Sequence, residues 1–473
     1  MTFNSPLFLF LFIPSFFAVY YVADKKLRRV VALIGSFLFF SWGNAIYIPL
    51  MVGLILWNYA FGRKLGASAG EKSSQKILWA GIAGNLFVLL IFKTITSYEI
   101  TWLPNNFQKS LVGVAFPLGL SYITFQTISY LADVFKGSIK TEYNLLNFSL
   151  YVMLFPKIVV GPITRYKKVS SALPMPDPSQ NDVVNGIRRF IRGFAKKILI
   201  ADMLAPLVDA AFKLGPESIH TETAWLALFA YALQIYYDFS GYTDMALGLG
   251  KMMGFEFEEN FNFPYVSQSL GEFWRRWHIS LSTWFRDYVF FPLERRRLKY
   301  FGQPINIFIV FLLTGLWHGV TLPFIVWGSL HGIFLVIENL FLGRLLKKTW
   351  QPIRYLYTFS TILFTWIFFR SHSLNFAWNY LLRLLGRLNT YVPPTFSQST
   401  PLPFIEPSFT IAFIAGVIFS VPLVPWLGNQ LNKFPTANSF MVIVRDAILL
   451  LAFVASIAFM ATRGFAPGIY GGF

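Results

Sequence analysis

The chain contains no cysteine and little charge: 13% of its residues are Asp, Glu, Lys or Arg, about half the share found in a soluble domain. The first absence excludes disulfides, thiolate metal sites and an acyl-cysteine intermediate. The second argues against a soluble fold, because 55% of the 473 residues are hydrophobic and mean hydropathy is +0.54. Acidic residues are scarcest, 22 against 40 Lys and Arg, which leaves a net charge of +18. Chemical motifs are missing too. There is no G-x-x-x-x-G-K-[ST] phosphate loop, no H-E-x-x-H metal helix and no G-x-S-x-G nucleophile elbow. ATP hydrolysis, zinc hydrolysis and serine acyl-enzyme chemistry therefore lack support, and no bound metal or cofactor is expected.

What is present is apolar sequence in long runs. Candidate spans fall at roughly 5–22, 30–44, 46–62, 78–96, 111–131, 197–214, 223–246, 304–320, 323–342, 354–370, 408–426 and 441–461. A ~30 Å hydrocarbon core takes about 20 helical residues, and several of these runs are shorter. The fold class expected is an all-α polytopic membrane protein with about 11–12 transmembrane helices, plus re-entrant or interfacial helices, in one membrane-embedded domain. Lys and Arg gather in 23–29, 63–77, 132–196, 247–303, 343–353 and 427–440, while 97–110 and 215–222 are poor in them. The positive-inside rule then sets the N-terminus outside and the cation-rich loops in the cytoplasm. Lys25, Lys26, Arg28 and Arg29 follow the first apolar run and no basic residue precedes it, a polarity opposite to that of a cleavable signal peptide.

The loops are too short to form the solvated basic face that nucleic acid requires, so that partner is not expected. Anionic lipid of the bilayer accounts for the cations, and an anionic substrate is the sharper alternative. Two stretches break the alternation of sides. Tyr143–Gly161 is apolar with cations on both flanks, and Gly271–Pro292 is too charged to face lipid. Both read as segments that enter and leave on one side, which is tolerated only under protein cover. Asn181–Leu199 carries an apolar stripe opposite Arg188, Arg189, Arg192, Lys196 and Lys197 and reads as an amphipathic helix on the cytoplasmic surface.

Three of the five histidines lie between Gly271 and Gly332. Ionisable groups inside apolar segments cost about 2.5–3.5 kcal/mol each and are functional candidates by default. His318 follows Trp317 between Gly315 and Gly319, glycines that let another backbone approach closely. It reads either as a general base activating a hydroxyl or as a packing histidine bonded to a carbonyl. His331, within Gly328-Ser-Leu-His-Gly332, leans further toward packing. His278 sits among Trp274, Arg275, Arg276 and Trp277, a set suited to an anionic, flat ligand; an interfacial aromatic belt explains it equally. Asp238, Ser240, Tyr242 and Asp244 lie in another apolar segment. These groups either orient a catalytic histidine and bond a sugar-like acceptor, or join helices.

The segments FWRRWHISLSTWFRDY at 273–288 and LTGLWHG at 313–319 resemble the membrane-bound O-acyltransferase superfamily. FPLGLSYITFQTISYLADVF at 116–135, MLFPKIVVGPITRY at 153–166, YYDFSGYTDMALGLGKMMGF at 236–255 and FNSPLFLFLFIP at 3–14 extend the likeness to about residue 342. It is strongest to the bacterial polysaccharide branch, which includes enzymes that O-acetylate alginate. The resemblance implies a ring of helices around a thinned centre, with the invariant histidine at His318 and the Asn-or-His position at His278. It further implies transfer of an acyl group, most simply acetyl, from acetyl-CoA or an acyl-carrier thioester. The acceptor would be an extracytoplasmic polysaccharide, reached directly or through an esterase-like acetyltransferase partner, in the bacterial inner membrane. His318 would be the base, while His278, Trp274, Arg275, Arg276, Trp277 and Trp317 would hold or assist the donor. A polysaccharide or lipid-linked sugar transporter, an export-complex scaffold, and an acyltransferase acting on lipid or protein are the alternatives.

Overall fold

The structure, a computed structural model, describes residues 1–97, 115–175, 177–295, 302–388, 405–431 and 435–463. The basic run at 296–299 and the cation-poor loop at 98–110 lie outside them. Every regular element among the described residues is helical, as apolar chain in lipid requires, since a helix satisfies its own backbone polar groups.

Among the described residues, four helical stretches are long and apolar enough to cross a bilayer: Ala45–Ala67, Ser73–Thr96, Leu322–Lys348 and Met441–Thr462. Phe8–Val22, Gly302–His318 and Pro407–Phe419 are shorter apolar helices. Proline marks several starts, at Pro14, Pro49, Pro323 and Pro352, where its missing N–H would be unbonded anyway. Elsewhere side chains cap the ends: the Asp24 carboxylate accepts the Leu27 N–H at 2.8 Å, and the Ser269 hydroxyl accepts that of Glu272 at 3.1 Å.

The chain divides into two compact units. One is built from Met1–Gly193 with Tyr242–Glu259, the other from Phe194–Gly241 with the described residues from Asn260 onward.

In the first unit, the expected re-entrant stretch forms two short helices, Leu145–Met153 and Phe155–Ile158. They are too short to cross a bilayer, and residues 148–158 are all buried. The lysine in the second of these helices, Lys157, is fully buried. Its ammonium donates to Gln126 Oε1 at 2.5 Å and to the Tyr151 carbonyl, and lies 4.5 Å from the centre of the Tyr151 ring. Gln180–Ala195 forms the helix expected from the basic stripe, with Val184 and Ile187 left exposed beside its cations.

In the second unit, Gly302–His318 and Leu322–Ile337 pack closely. Two short helices, Leu270–Arg276 and Ile279–Phe285, precede them. The helix Thr221–Met252, which belongs to this unit as far as Gly241 and to the first unit beyond it, has 32 residues, about 48 Å of rise, and residues 230–250 are all buried. Its Asp, Ser, Thr and Tyr side chains are thus covered by protein rather than lipid.

Candidate active site

The second unit gathers the three motif histidines in an aromatic core. The sequence achieves this with glycine: a Cβ on Gly315 would lie 2.5 Å from the Phe324 carbonyl oxygen, and one on Gly328 would lie 2.9 Å from Gly315 Cα. Any side chain at either position would push the two helices apart. His318 ends the first helix and is 5% exposed. Its ring meets Trp327 at 5.1 Å and Phe369 at 5.0 Å, both edge-on, and Trp317 at 4.5 Å. Trp317 also lies 6.2 Å from His278, so one indole neighbours both imidazoles.

His278 is 1% exposed and adopts a left-handed backbone, φ 45°, unusual for a residue with a Cβ. It sits between the two short helices, at the N-cap of the second. Its Nδ1 is 3.2 Å from Asn260 Oδ1, and Phe239 meets its ring at 4.7 Å. With no charged partner, burial pushes its pKa down to about 3, so the imidazole is neutral at physiological pH. His331 Nδ1 accepts from Trp274 Nε1 at 3.3 Å, and Trp327 lies 5.0 Å away. That arrangement fits packing.

Beside these residues lies a cavity of about 420 Å³, within the range of small-molecule sites. Trp274, Arg275, Ser282, Thr283 and Arg286 line it, together with Thr314, one turn before His318. The chamber is apolar with cations in its wall. Arg276 bonds Glu272 Oε1 at 2.9 Å and the Asn262 carbonyl at 3.1 Å. Trp277 stacks on Phe273 at 5.5 Å and touches Trp366 at 5.2 Å.

The other expected residues lie on the helix Thr221–Met252. Asp238 pairs with the buried Lys197 at 2.6 Å, which also reaches Asp202. Ser240 is buried on the same helix. Tyr242 and Asp244 belong to the first unit. There the Tyr242 hydroxyl accepts the Phe3 N–H at 3.1 Å, and Asp244 is held by Arg189 at 2.9 Å and Arg192 at 3.6 Å.

Two residues that the motifs did not single out organise the cluster. Asn260 holds His278. Glu338 accepts the N–H groups of Leu270 and Gly271 at 2.7 and 3.1 Å, satisfying the start of the helix that carries Trp274 and Arg275. A carboxylate inside the apolar run 323–342 was the signal available for Glu338; Asn260 carried none. Among the described residues no cluster of three His, Asp or Glu could hold a metal.

The sequence pattern of the MBOAT, membrane-bound O-acyltransferase family, matches residues 68–378. The chain is 39% identical over 390 residues to the probable alginate O-acetylase AlgI of Pseudomonas aeruginosa, covering 80% of this chain and 74% of that protein. It is 34% identical over 495 residues to the protein of the same name from Pseudomonas putida, covering 99% of each. The peptidoglycan O-acetyltransferase of Helicobacter pylori is 31% identical over 430 residues, covering 82% of this chain and 80% of that protein.

Proposed function

The chain belongs to the membrane-bound O-acyltransferase family, and we propose that it moves an acetyl group from a cytoplasmic thioester to hydroxyls of an extracytoplasmic polysaccharide. The relatives are named for O-acetylation of alginate and of peptidoglycan, which supports both the acetyl group and a polymeric acceptor. Acetyl-CoA is the donor in this reading, with an acyl-carrier thioester as its substitute. Transfer runs directly or through an esterase-like partner outside the bacterial inner membrane, with the N-terminus of this chain on that outer side.

His318 acts as general base. Its neutral imidazole takes the proton of the incoming hydroxyl as that oxygen attacks the thioester carbonyl. Collapse of the tetrahedral intermediate breaks the C–S bond, and the imidazolium returns the proton to the departing thiolate. The observation that carries this reading is the placement of His318 against Trp317, with Thr314 one turn earlier on the wall of the cavity. Arg275 and Arg286 in that wall suit the phosphate-bearing end of a CoA donor, and Trp274 lines the same chamber.

The test uses purified protein in liposomes with labelled acetyl-CoA, with and without the esterase-like partner and polymer. Label should reach acceptor hydroxyls, and His318→Ala should lower the rate about 10²–10⁴-fold while leaving the melting temperature near that of the wild type. No acetyl movement in either arrangement overturns the donor assignment. Undiminished transfer by His318→Ala overturns the base.

A further inference from the structure

The side-chain oxygen of Asn260 faces three donors or potential donors: the Ser280 backbone N–H at 3.1 Å, the Ser280 hydroxyl at 2.9 Å and His278 Nδ1 at 3.2 Å. A carboxamide can be turned over without changing its shape, so its orientation needs a chemical reason. Here the backbone supplies one. The Ser280 N–H can only donate, so the atom facing it must be the carbonyl oxygen; the amide nitrogen there would set donor against donor. That oxygen can only accept, so His278 Nδ1 must carry the proton. The other ring nitrogen, Nε2, is then a lone pair. It is buried and has no hydrogen-bond partner among the described residues. The main chain reinforces the arrangement: the Asn260 carbonyl accepts the Ile279 N–H at 3.0 Å, and Asn262 N–H donates to the Arg276 carbonyl at 2.9 Å. These bonds flank the left-handed turn at His278.

We propose that Asn260 is a positioning residue that locks His278 in the Nδ1–H tautomer, so that His278 Nε2 serves as a hydrogen-bond acceptor for an O–H or N–H group of a substrate. This rests on the acyl-transfer reading for the identity of the substrate, though not for the tautomer. It also assigns the chemistry of His278 by sign. A nitrogen that offers a lone pair cannot donate to a developing oxyanion, so His278 is not part of an oxyanion hole. Its partners are the acceptor hydroxyl before deprotonation or an amide N–H of the donor's thioester arm. A buried acceptor left without its donor is costly, so the site selects for substrates that bring such a group.

The test has a spectroscopic arm that needs no substrate. Protein labelled with ¹⁵N-histidine, with the His278 signal assigned by difference from His278→Gln, should show a protonated Nδ1 and an unprotonated Nε2 near neutral pH. Asn260→Asp keeps the acceptor oxygen and should keep that tautomer; its carboxylate favours the imidazolium, so the acid limb of kcat/KM should move to higher pH. Asn260→Ala should lose the tautomer preference and lower kcat about 10–100-fold, the range found when the partner that orients a metal-bound histidine is removed, with little change in donor KM. A wild-type Nε2–H signal overturns the proposal, as does an Asn260→Asp enzyme whose acid limb stays in place. Absence of acetyl transfer in the wild type would instead count against the proposed function and leave the tautomer result standing.

Discussion

A buried, uncharged His278 makes the protein sensitive to acid through folding as well as through chemistry. An unfolded histidine titrates near 6.5, whereas burial holds the folded one near 3. Between those values the unfolded chain binds a proton that the folded chain refuses. The resulting stability is complete above about pH 6.5 and is lost as pH falls toward 3, at up to about 1.4 kcal/mol per pH unit. Melting of the detergent-solubilised protein should therefore drop between about pH 7 and pH 5, and His278→Gln should drop less over the same range. Equal slopes for the two proteins would place the titrating group elsewhere. His278, Trp317 and His318 were legible as residues because polar and ionisable groups stand out in apolar sequence. Their partners were not. Asn260 lies in a loop where an Asn carries no particular meaning, and its role depends on a backbone turn 18 residues later. Asp244 shows the converse: a carboxylate in an apolar run drew notice, yet Arg189 and Arg192 occupy it.

At the scale of elements, the catalytic reading depends on two helices held closer than side chains allow. Gly315 and Gly328 face each other where Gly302–His318 crosses Leu322–Ile337, and His318 follows one turn after the contact. Gly328→Ala would bring a methyl within 2.5 Å of the Phe311 carbonyl oxygen. Overpacking of this kind costs about 1–3 kcal/mol, and the helix end bearing His318 must shift. The variant should melt earlier and transfer acetyl more slowly. Gly53 is the control, because nothing lies within 4 Å of its Cβ position in the helix Ile48–Ala67. Gly53→Ala should be neutral or stabilising by up to about 1 kcal/mol, with unchanged transfer; equal losses in both variants would remove the close crossing as the cause. The glycine spacing was readable in the sequence, and so were the helices. Their burial was less so. Hydropathy alone made 223–246 resemble any other span, whereas the helix Thr221–Met252 is covered by protein along residues 230–250, which is how it accommodates Asp238 and Ser240.

For the whole molecule, the proposed reaction needs a donor from one side of the membrane and an acceptor on the other, so the sidedness of the loops is part of the mechanism. Charge carries that information: the loop at 63–77 has Arg63, Lys64, Lys72 and Lys76, while 215–222 has no Lys or Arg. Anionic lipid and insertion both favour the first in the cytoplasm. Because the chain has no cysteine, single thiols can report on this against a silent background. Lys72 and Ser218 are exposed and lie in those two loops. In intact cells made permeable only at the outer membrane, Ser218→Cys should react with a membrane-impermeant maleimide and Lys72→Cys should not, until the inner membrane is broken. Reaction of Lys72→Cys in intact cells would turn the topology over. It would also put the cations of 247–303, Arg275 and Arg286 among them, on the side away from cytoplasmic thioesters. The donor chamber assigned to those residues could not then stand, whatever the activity of His318.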